Sequence, residues 1–497
     1  MTSACNSSIA LGMSELKLFN SLTRQIEPFV PVHPGTEGDP NDPPEARVYT
    51  CGPTVYNYQH IGNMRAYIFA DTLGRVLTYK GYKLTHVVNI TDVGHLTSDA
   101  DAGEDKMEKM AANLGKSAWD IAAYYQADFE RDLDRLNVRK PAHPKATDYV
   151  EQMILWGQAI ADEHCYELES GLYFDTSTVA DYGRLARYST GANDPGAESR
   201  IDPVDGKRHA ADFAIWRKTP AGETRQMEWD SPWGKGAPGW HLECSVMSET
   251  LLGLPFDIHT GGIDHREIHH PNEIAQNQAR CHSDASGANI WMHNNFLIER
   301  SGKMSKSSGE FLRVQLLVDK GFHPLAYRLM CLQAHYRSEL EFSWEGLQAA
   351  FVRLKRMVMG IERLRATAVD EPAGQADMTL SQIDEALSND LNTPRVLDIA
   401  FSISEMKGSA SDRLNAIFEC DKALGLNLTT LTRKDLRIRP KTAIITEAEI
   451  ETALAARKEA RAAKDFAKSD AIRDDLIAKG VEVMDGDPLG WDWKLDV

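Results

Sequence analysis

Two strand–helix–strand patterns, set about 160 residues apart, constrain this 497-residue chain more than any other feature. In the first, residues 47–50 (Arg-Val-Tyr-Thr) read as a short buried strand, which Cys51-Gly52-Pro53 breaks. Met64, Ile68, Phe69, Leu73, Val76 and Leu77 then recur by threes and fours, which predicts a helix over 61–80. Gly81 ends it, and residues 84–91 supply the next strand. In the second pattern, 255–259 and 290–296 read as strands, Gly261-Gly262 as a turn and 271–281 as a helix. Parallel strands joined through a helix make a right-handed crossover. The stretch between the units is far longer than an ordinary connection. The pattern therefore leaves two arrangements open: two separate domains, or one sheet whose halves are split by an inserted domain.

The flanking segments are simpler. Residues 31–45, rich in Pro, Gly and acids, read as a surface loop. From about Leu347 the chain becomes helical, with amphipathic stretches at 347–366 and 383–391. A basic segment at 432–441 reads as a linker, and 447–478 as a pair of helices before Trp491 and Trp493. At roughly 150 residues per domain, the length allows about three domains. The chain is 42% hydrophobic and 26% charged, which excludes a disordered protein. No apolar run approaches the roughly 18 residues of a membrane span, and the N-terminal stretch lacks the basic start and apolar block of a secretory leader. Seven scattered cysteines argue against a disulfide scaffold and for a reducing cytoplasm. A net charge of −18 excludes nonspecific coating of nucleic acid but leaves room for a local basic groove.

Three constellations could carry chemistry. His60-Ile61-Gly62-Asn63 falls where a strand gives way to a helix, and helix N-termini favour phosphate. His60 there could donate to a nucleotide phosphate, or it could simply cap the helix. Lys303-Met304-Ser305-Lys306-Ser307 offers two lysines that could neutralise a pyrophosphate leaving group, or form a solvated basic loop. Cys51, Cys244, His269 and Glu273 combine thiolate, imidazole and carboxylate, donors that suit zinc. His269 and Glu273 are four apart and share a helix face. Spacing alone does not select these four from seven cysteines and sixteen histidines.

The first two motifs, in this order on the two halves of a split sheet, resemble those of class I aminoacyl-tRNA synthetases. Further segments make the chain similar to the cysteinyl-tRNA synthetase family over nearly its whole length. They include 18–24, Tyr49 to Tyr56 (YTCGPTVY), Asn89-Ile90-Thr91-Asp92, Gly239 to Ser245 (GWHLECS), Asp257 to Asp264 (DIHTGGID) and His269 to Glu273 (HHPNE). Asp390 to Pro394 (DLNTP) and Ser469 to Asp474 (SDAIRD) extend the resemblance toward the C-terminus. It implies an α/β fold: a Rossmann-like parallel-sheet catalytic domain split by an insertion, then an α-helical bundle and a small C-terminal anticodon-binding region. The implied boundaries are 1–115 and 226–300 for the catalytic halves and 116–225 for the insertion. Residues 301–346 would form the lysine loop and stem-contact region, 347–440 the bundle, and 441–497 the anticodon-binding region.

The resemblance implies activation of L-cysteine with ATP and magnesium to cysteinyl-adenylate, then transfer to tRNA(Cys), by a cytoplasmic monomer. Cys51, Cys244, His269 and Glu273 would hold one zinc ion that selects the substrate thiolate. Gly52, Thr91 and Trp240 would surround the amino acid. Trp240 could equally be an ordinary core residue. His60 and Asn63 would contact ATP phosphates, Gly261, Gly262 and Asp264 the adenosine, and Lys303 and Lys306 the developing charge. Arg457, Lys458, Arg461, Lys464 and Lys468 would face tRNA or merely solvent, and Trp491 or Trp493 would stack on an anticodon base or fill a core. Two departures stand out: the family's last histidine of the first motif is Asn63, and Pro271 replaces a glutamate, which leaves His269 and His270 as rival ligands with His269 favoured by its spacing to Glu273. Two other functions compete, a cysteine ligase with a small-molecule acceptor of the mycothiol-synthesis type and a noncatalytic RNA-binding protein.

Overall fold

In the computed structural model, which describes residues 13–93, 106–186, 204–299, 312–368 and 377–496 and the backbone of Gly302–Lys303, the two units form one sheet. The first comprises β1 (Glu45–Thr50), α1 (Ile61–Tyr79) and β2 (Lys83–Val88). The second comprises α2 (Trp240–Leu252), β3 (Phe256–Gly262), α3 (His269–Cys281) and β4 (Ala288–Asn294). The strand order is β4-β3-β1-β2, and every pairing is parallel. The halves meet where Val48, Tyr49 and Thr50 pair with Ile258, His259 and Thr260. Of the two arrangements the pattern left open, the single split sheet is the one formed. Strand order reverses between β1 and β3, and open sheets of this kind bind ligands beyond the strand ends at such a point.

The sheet is buried on both faces, as apolar parallel strands require. Under α1, Val48 and Ile258 join a core that runs on into the helical bundle. On the opposite face Tyr49, Phe256 and Trp291 pack with Trp156, Phe213 and Trp216 of the inserted segment. That segment contains helices Ala118–Arg135 and Val150–His164. Strands Cys165–Leu168, Gly171–Phe174, Phe213–Lys218 and Gly236–Pro238 add an antiparallel sheet. β2 stops at Val88 rather than running to residue 91, because Ile90 and Thr91 donate their amides to Pro144 and Pro53 instead of to a strand.

After the sheet come α4 (Pro324–Leu332), α5 (Trp344–Thr367), α6 (Asp377–Ser388), α7 (Thr393–Glu405) and α8 (Ala410–Leu424). The chain finishes with α9 (Glu447–Ala462), α10 (Phe466–Ala478) and a hairpin of β5 (Val481–Val483) and β6 (Trp491–Trp493). Trp491 and Trp493 are 0% and 2% exposed and form the hairpin's own core, so the structure assigns them to packing and not to base stacking. The basic segment at 432–441 forms no helix or strand, yet Arg433 is buried and paired with Asp487 and Asp492. No helix among the described residues is long and apolar enough to cross a membrane.

One buried junction ties three parts of the chain together. Arg328 on α4, fully buried, donates to Asp71 on α1 at 2.6 Å, to the Leu136 and Asn137 carbonyls of the insertion at 3.0 and 3.1 Å, and to the Leu424 carbonyl of α8 at 2.7 Å. Asp71 also accepts from Arg75 at 2.7 Å and Arg139 at 3.1 Å. Burial alone would raise the Asp71 carboxyl, but the guanidiniums of Arg328, Arg75 and Arg139 outweigh it and hold the group at about 2. Its pKa is depressed on folding, so the stabilisation is fully present above the unfolded value near 4 and is lost as pH falls toward 2. It is worth about 2 kcal/mol at neutral pH. Denaturant melts of wild type and Asp71→Asn should therefore differ most at pH 7 and converge on acidification. A gap that is constant with pH would refute the assignment.

Candidate functional site

The C-terminal ends of β1 and β3 deliver Cys51 and Gly261 side by side, the Cys51 amide donating to the Thr260 carbonyl at 3.1 Å. Gly52 follows at a point with no room for a side chain: a Cβ there would stand 1.4 Å from the Asn89 carbonyl oxygen. Its amide donates to the Asn89 side chain at 2.8 Å, and Asn89 in turn reaches Thr91 at 3.2 Å. Thr91 donates to Glu243 at 2.7 Å. Burial pushes the Glu243 carboxyl up to about 8.

α2 starts at Trp240, directly after Pro238-Gly239, and its first turns present Glu243 and Cys244 to the same space. α3 starts at His269, with Pro271 in its first turn, so that His269 and Glu273 project together. The result is a nest of buried donors. Cys51 Sγ lies 4.0 Å from Cys244 Sγ, 4.0 Å from Glu273 Oε1 and 3.2 Å from His270 Nε2. His269 Nε2 is 3.1 Å from Glu273 Oε1, and His259 Nε2 is 2.8 Å from Glu273 Oε2. Donor atoms of Cys51, Cys244, His269 and Glu273 all fall within 4.8 Å of one another, and so do those of Cys51, His259, His270 and Glu273. Burial pushes the Cys51 thiol up to about 11 and the Cys244 thiol well above its ordinary value. A cation at their centre would favour both thiolates.

An outer ring of histidines supports this nest. His241 Nδ1 sits 2.9 Å from His269 Nδ1, and His270 Nδ1 2.8 Å from His293 Nε2, which continues to Ser21 at 2.8 Å. Burial pushes His241 down to about 3 and His270 and His293 well below the usual imidazole range, so all three are neutral. Trp240 is half-buried, its ring 4.4 Å from that of His269 at 32°, so it covers the nest and is no ordinary core tryptophan. The sequence reading missed His241, His259, His293 and Glu243. Its one available signal was that seven of the sixteen histidines lie between 241 and 293.

His60 caps α1. Its Nδ1 accepts the Gly62 amide at 3.1 Å, and Asn63 Oδ1 accepts the His60 amide at 3.2 Å. A ring nitrogen that accepts carries no proton, so the proton of neutral His60 sits on Nε2, a donor beside the helix start. Capping thus uses Nδ1, and the ring's proton lies on the opposite nitrogen. Asn63 is exposed, and its amide NH2 is a second donor. Gly261 and Gly262 end β3, and a Cβ on Gly261 would meet the His265 and His270 rings at 2.8 Å. Asp264 is exposed just beyond. The backbone of Lys303 pairs with Ile298, Lys306 lies outside the described residues, and the Leu312 carbonyl after the lysine segment accepts the Ile61 amide at 2.9 Å. Lys458 on α9, Lys464 in the turn after it and Lys468 on α10 are exposed, whereas Arg457 and Arg461 pair with Asp485.

Comparison with known proteins places this arrangement. The family model of the tRNA synthetases class I (C) catalytic domain matches residues 38–352, and that of the cysteinyl-tRNA ligase anticodon binding domain matches 446–488. The chain is 64% identical to a cysteine–tRNA ligase of Novosphingobium aromaticivorans over 491 residues, covering 97% of both chains. It is 48% identical to one of Zymomonas mobilis over 514 residues, covering 96% of this chain and 97% of the other. Among solved structures, a Mycobacterium tuberculosis methionyl-tRNA synthetase bound by methionyl-adenylate superposes with a TM-score of 0.51 at 13% identity, covering 79% of this chain and 90% of that one. A leucyl-tRNA synthetase in a ternary complex from Agrobacterium radiobacter K84 gives 0.54 at 12% identity, over 81% and 85%. At those identities the likeness is one of fold.

Proposed function

Since the chain belongs to the cysteinyl-tRNA ligase family, a class I group of aminoacyl-tRNA synthetases, we propose that it activates L-cysteine with ATP and transfers it to tRNA(Cys), with zinc selecting the substrate. The observation that carries this reading is the buried nest of thiols, imidazoles and carboxylate at the switch point, with Trp240 half-exposed over it. The donors fit zinc in kind and spacing. Zinc bonds of about 2.0 to 2.3 Å give tetrahedral edges of about 3.3 to 3.8 Å, and the distances of 3.1 and 4.0 Å bracket that range. Cys51, Cys244, His269 and Glu273 would hold the ion, this being the quartet with both thiolates. His241 would then accept from Nδ1–H of His269, the outer partner that a metal-bound imidazole needs. His270 would stay out of the set as a neighbour of Cys51.

Serine differs from cysteine by one atom of nearly equal size, and pocket shape alone discriminates such pairs by only about a hundredfold. Zinc supplies a soft position that favours thiolate over hydroxyl. The chain's own residues do the rest. Trp240, Thr91 and Gly52 shape the amino-acid pocket, with Glu243 fixing the Thr91 hydroxyl. His60 Nε2–H and the Asn63 amide donate to ATP phosphates at the positive end of α1, and Gly261, Gly262 and Asp264 receive the adenosine. Lys303 and Lys306 neutralise the charge that gathers on magnesium-bound pyrophosphate as it leaves, so catalysis rests on positioning and electrostatics. The two C-terminal helices and the turn between them, through Lys458, Lys464 and Lys468, would contact tRNA phosphates, the enzyme working as a cytoplasmic monomer.

Cysteine-dependent ATP–pyrophosphate exchange, with serine in parallel and repeated after zinc removal, tests this directly. Exchange with cysteine alone, lost on chelation and restored by zinc, is the expected result. No exchange by folded, zinc-loaded protein would favour the noncatalytic RNA-binding reading. Charging of tRNA then separates this enzyme from a ligase with a small-molecule acceptor. Lys306→Ala should slow exchange about a hundredfold with little change in the KM for cysteine. An unchanged rate would remove Lys306 from the catalytic machinery.

A further inference from the structure

We propose a second, surface metal site built from Glu163, His164 and His282, specific for a late first-row divalent ion such as Zn2+, that ties the inserted segment to α3. One donor atom from each lies within 4.8 Å of the other two. Two imidazoles and a carboxylate suit zinc and its neighbours in the transition series rather than calcium or magnesium. Three protein donors leave a fourth position for water.

The site has built features beyond proximity. His164 Nδ1 lies 2.9 Å from Thr178 Oγ1, and Thr178 has already committed its proton to the Asp175 carbonyl at 2.7 Å. Thr178 can therefore only accept from His164, which fixes the proton on Nδ1 and leaves the lone pair on Nε2 for a metal. A ligating histidine characteristically has such an outer partner. The His164 ring also lies parallel to Phe174, at 6.0 Å and 4°, which restricts its rotation. His282 occupies the left-handed C-cap of α3, at φ 46° and ψ 45°, where glycine is the unstrained choice. Its Nδ1 is 3.7 Å from Glu163 Oε2, and both side chains are open to solvent, 64% and 70% exposed.

The placement gives the site a consequence. His164 ends the helix Val150–His164 of the insertion, and His282 caps the helix whose N-terminal half carries His269 and Glu273. A metal bridging these C-terminal ends would hold the insertion against the helix that supplies half of the buried quartet. This inference stands independently of the proposed substrate and reaction.

Zinc is titrated calorimetrically into full-length protein whose first zinc equivalent is already bound. A second equivalent should bind, and His282→Ala and Glu163→Gln should abolish it without releasing the first. Thr178→Val, which removes the partner of His164 but no ligand, should weaken the second event about 10- to 100-fold. Amide hydrogen exchange around 163–165 and 281–283 should slow with the second equivalent, and Cys244→Ser should keep that equivalent while losing the first. A second event that persists in His282→Ala, one untouched by Thr178→Val, or none up to millimolar zinc would overturn the proposal. Glu163, Thr178 and His282 lie outside the hydrophobic cores, so loss of the second binding event is separable from loss of fold.

Discussion

Replacing Cys244 with serine is expected to cut cysteine-dependent pyrophosphate exchange by at least about a thousandfold while leaving the much slower serine reaction nearly unchanged. Cys244 is one of two thiols 4.0 Å apart in a wholly buried nest, and an alkoxide cannot form there as a thiolate can. The variant should copurify with less than one equivalent of zinc at the buried quartet, and its preference for cysteine over serine should fall to the hundredfold or less that shape provides. His269→Asn should behave likewise, whereas His270→Asn should keep its zinc and lose less activity, because His270 belongs only to the quartet that omits Cys244. Full cysteine preference in a zinc-free Cys244→Ser protein would refute metal-based selection outright. Retention of zinc by His269→Asn, with loss from His270→Asn, would move the site to Cys51, His259, His270 and Glu273.

Arg328→Met is expected to be the most damaging single change to stability, costing about 3 to 5 kcal/mol. Methionine fills much of the same volume, so packing is largely conserved. What disappears is a buried charge that answers Asp71 and three backbone carbonyls from the insertion and α8. Asp71 would keep Arg75 and Arg139, but the carbonyls of Leu136 and Leu424 would lose the guanidinium hydrogen bond that joins the insertion to α8. Unfilled buried acceptors are costly even where a lost hydrogen bond alone is not. Denaturant unfolding followed by tryptophan fluorescence measures the loss, and Arg328→Lys should recover only part of it, since an ammonium cannot span the same four partners. A loss below about 1 kcal/mol would show that this junction is not what holds the three parts together.

How much of this was legible in the sequence depended on whether the signal was local. The limits of α1 were legible because its apolar spacing and Gly81 are both written within twenty residues of one another. The joining of the halves was not, because three paired residues, separated by about 210 positions, decide it. Resemblance named Cys51, Cys244, His269 and Glu273, whereas spacing could not, and the structure places their donor atoms together. The supporting histidines escaped notice because each ring's partner lies on another element: His259 on β3 meets Glu273 on α3, and His293 on β4 meets His270. Trp491 and Trp493 carried a usable local signal, since residues two apart in a strand share a face and bury together. His60 illustrates the opposite case: the cap uses Nδ1 alone, so the two readings given as alternatives do not compete for one atom.

The three-residue seam between β1 and β3 also governs when the protein becomes safe as well as active. Until residues 256–262 emerge during synthesis, β1 has an open parallel edge along Val48, Tyr49 and Thr50, and its apolar face awaits Phe256 and Trp291. Pairings across so long a stretch of chain form slowly, and unpaired apolar edges recruit other chains. A nascent or truncated chain ending inside the insertion therefore carries an adhesive strand and one residue of the buried quartet, Cys51 without Cys244, His269 or Glu273. Arrival of β3 closes the edge, and the helix that follows it completes the nest, so solubility and catalytic competence come late and almost together.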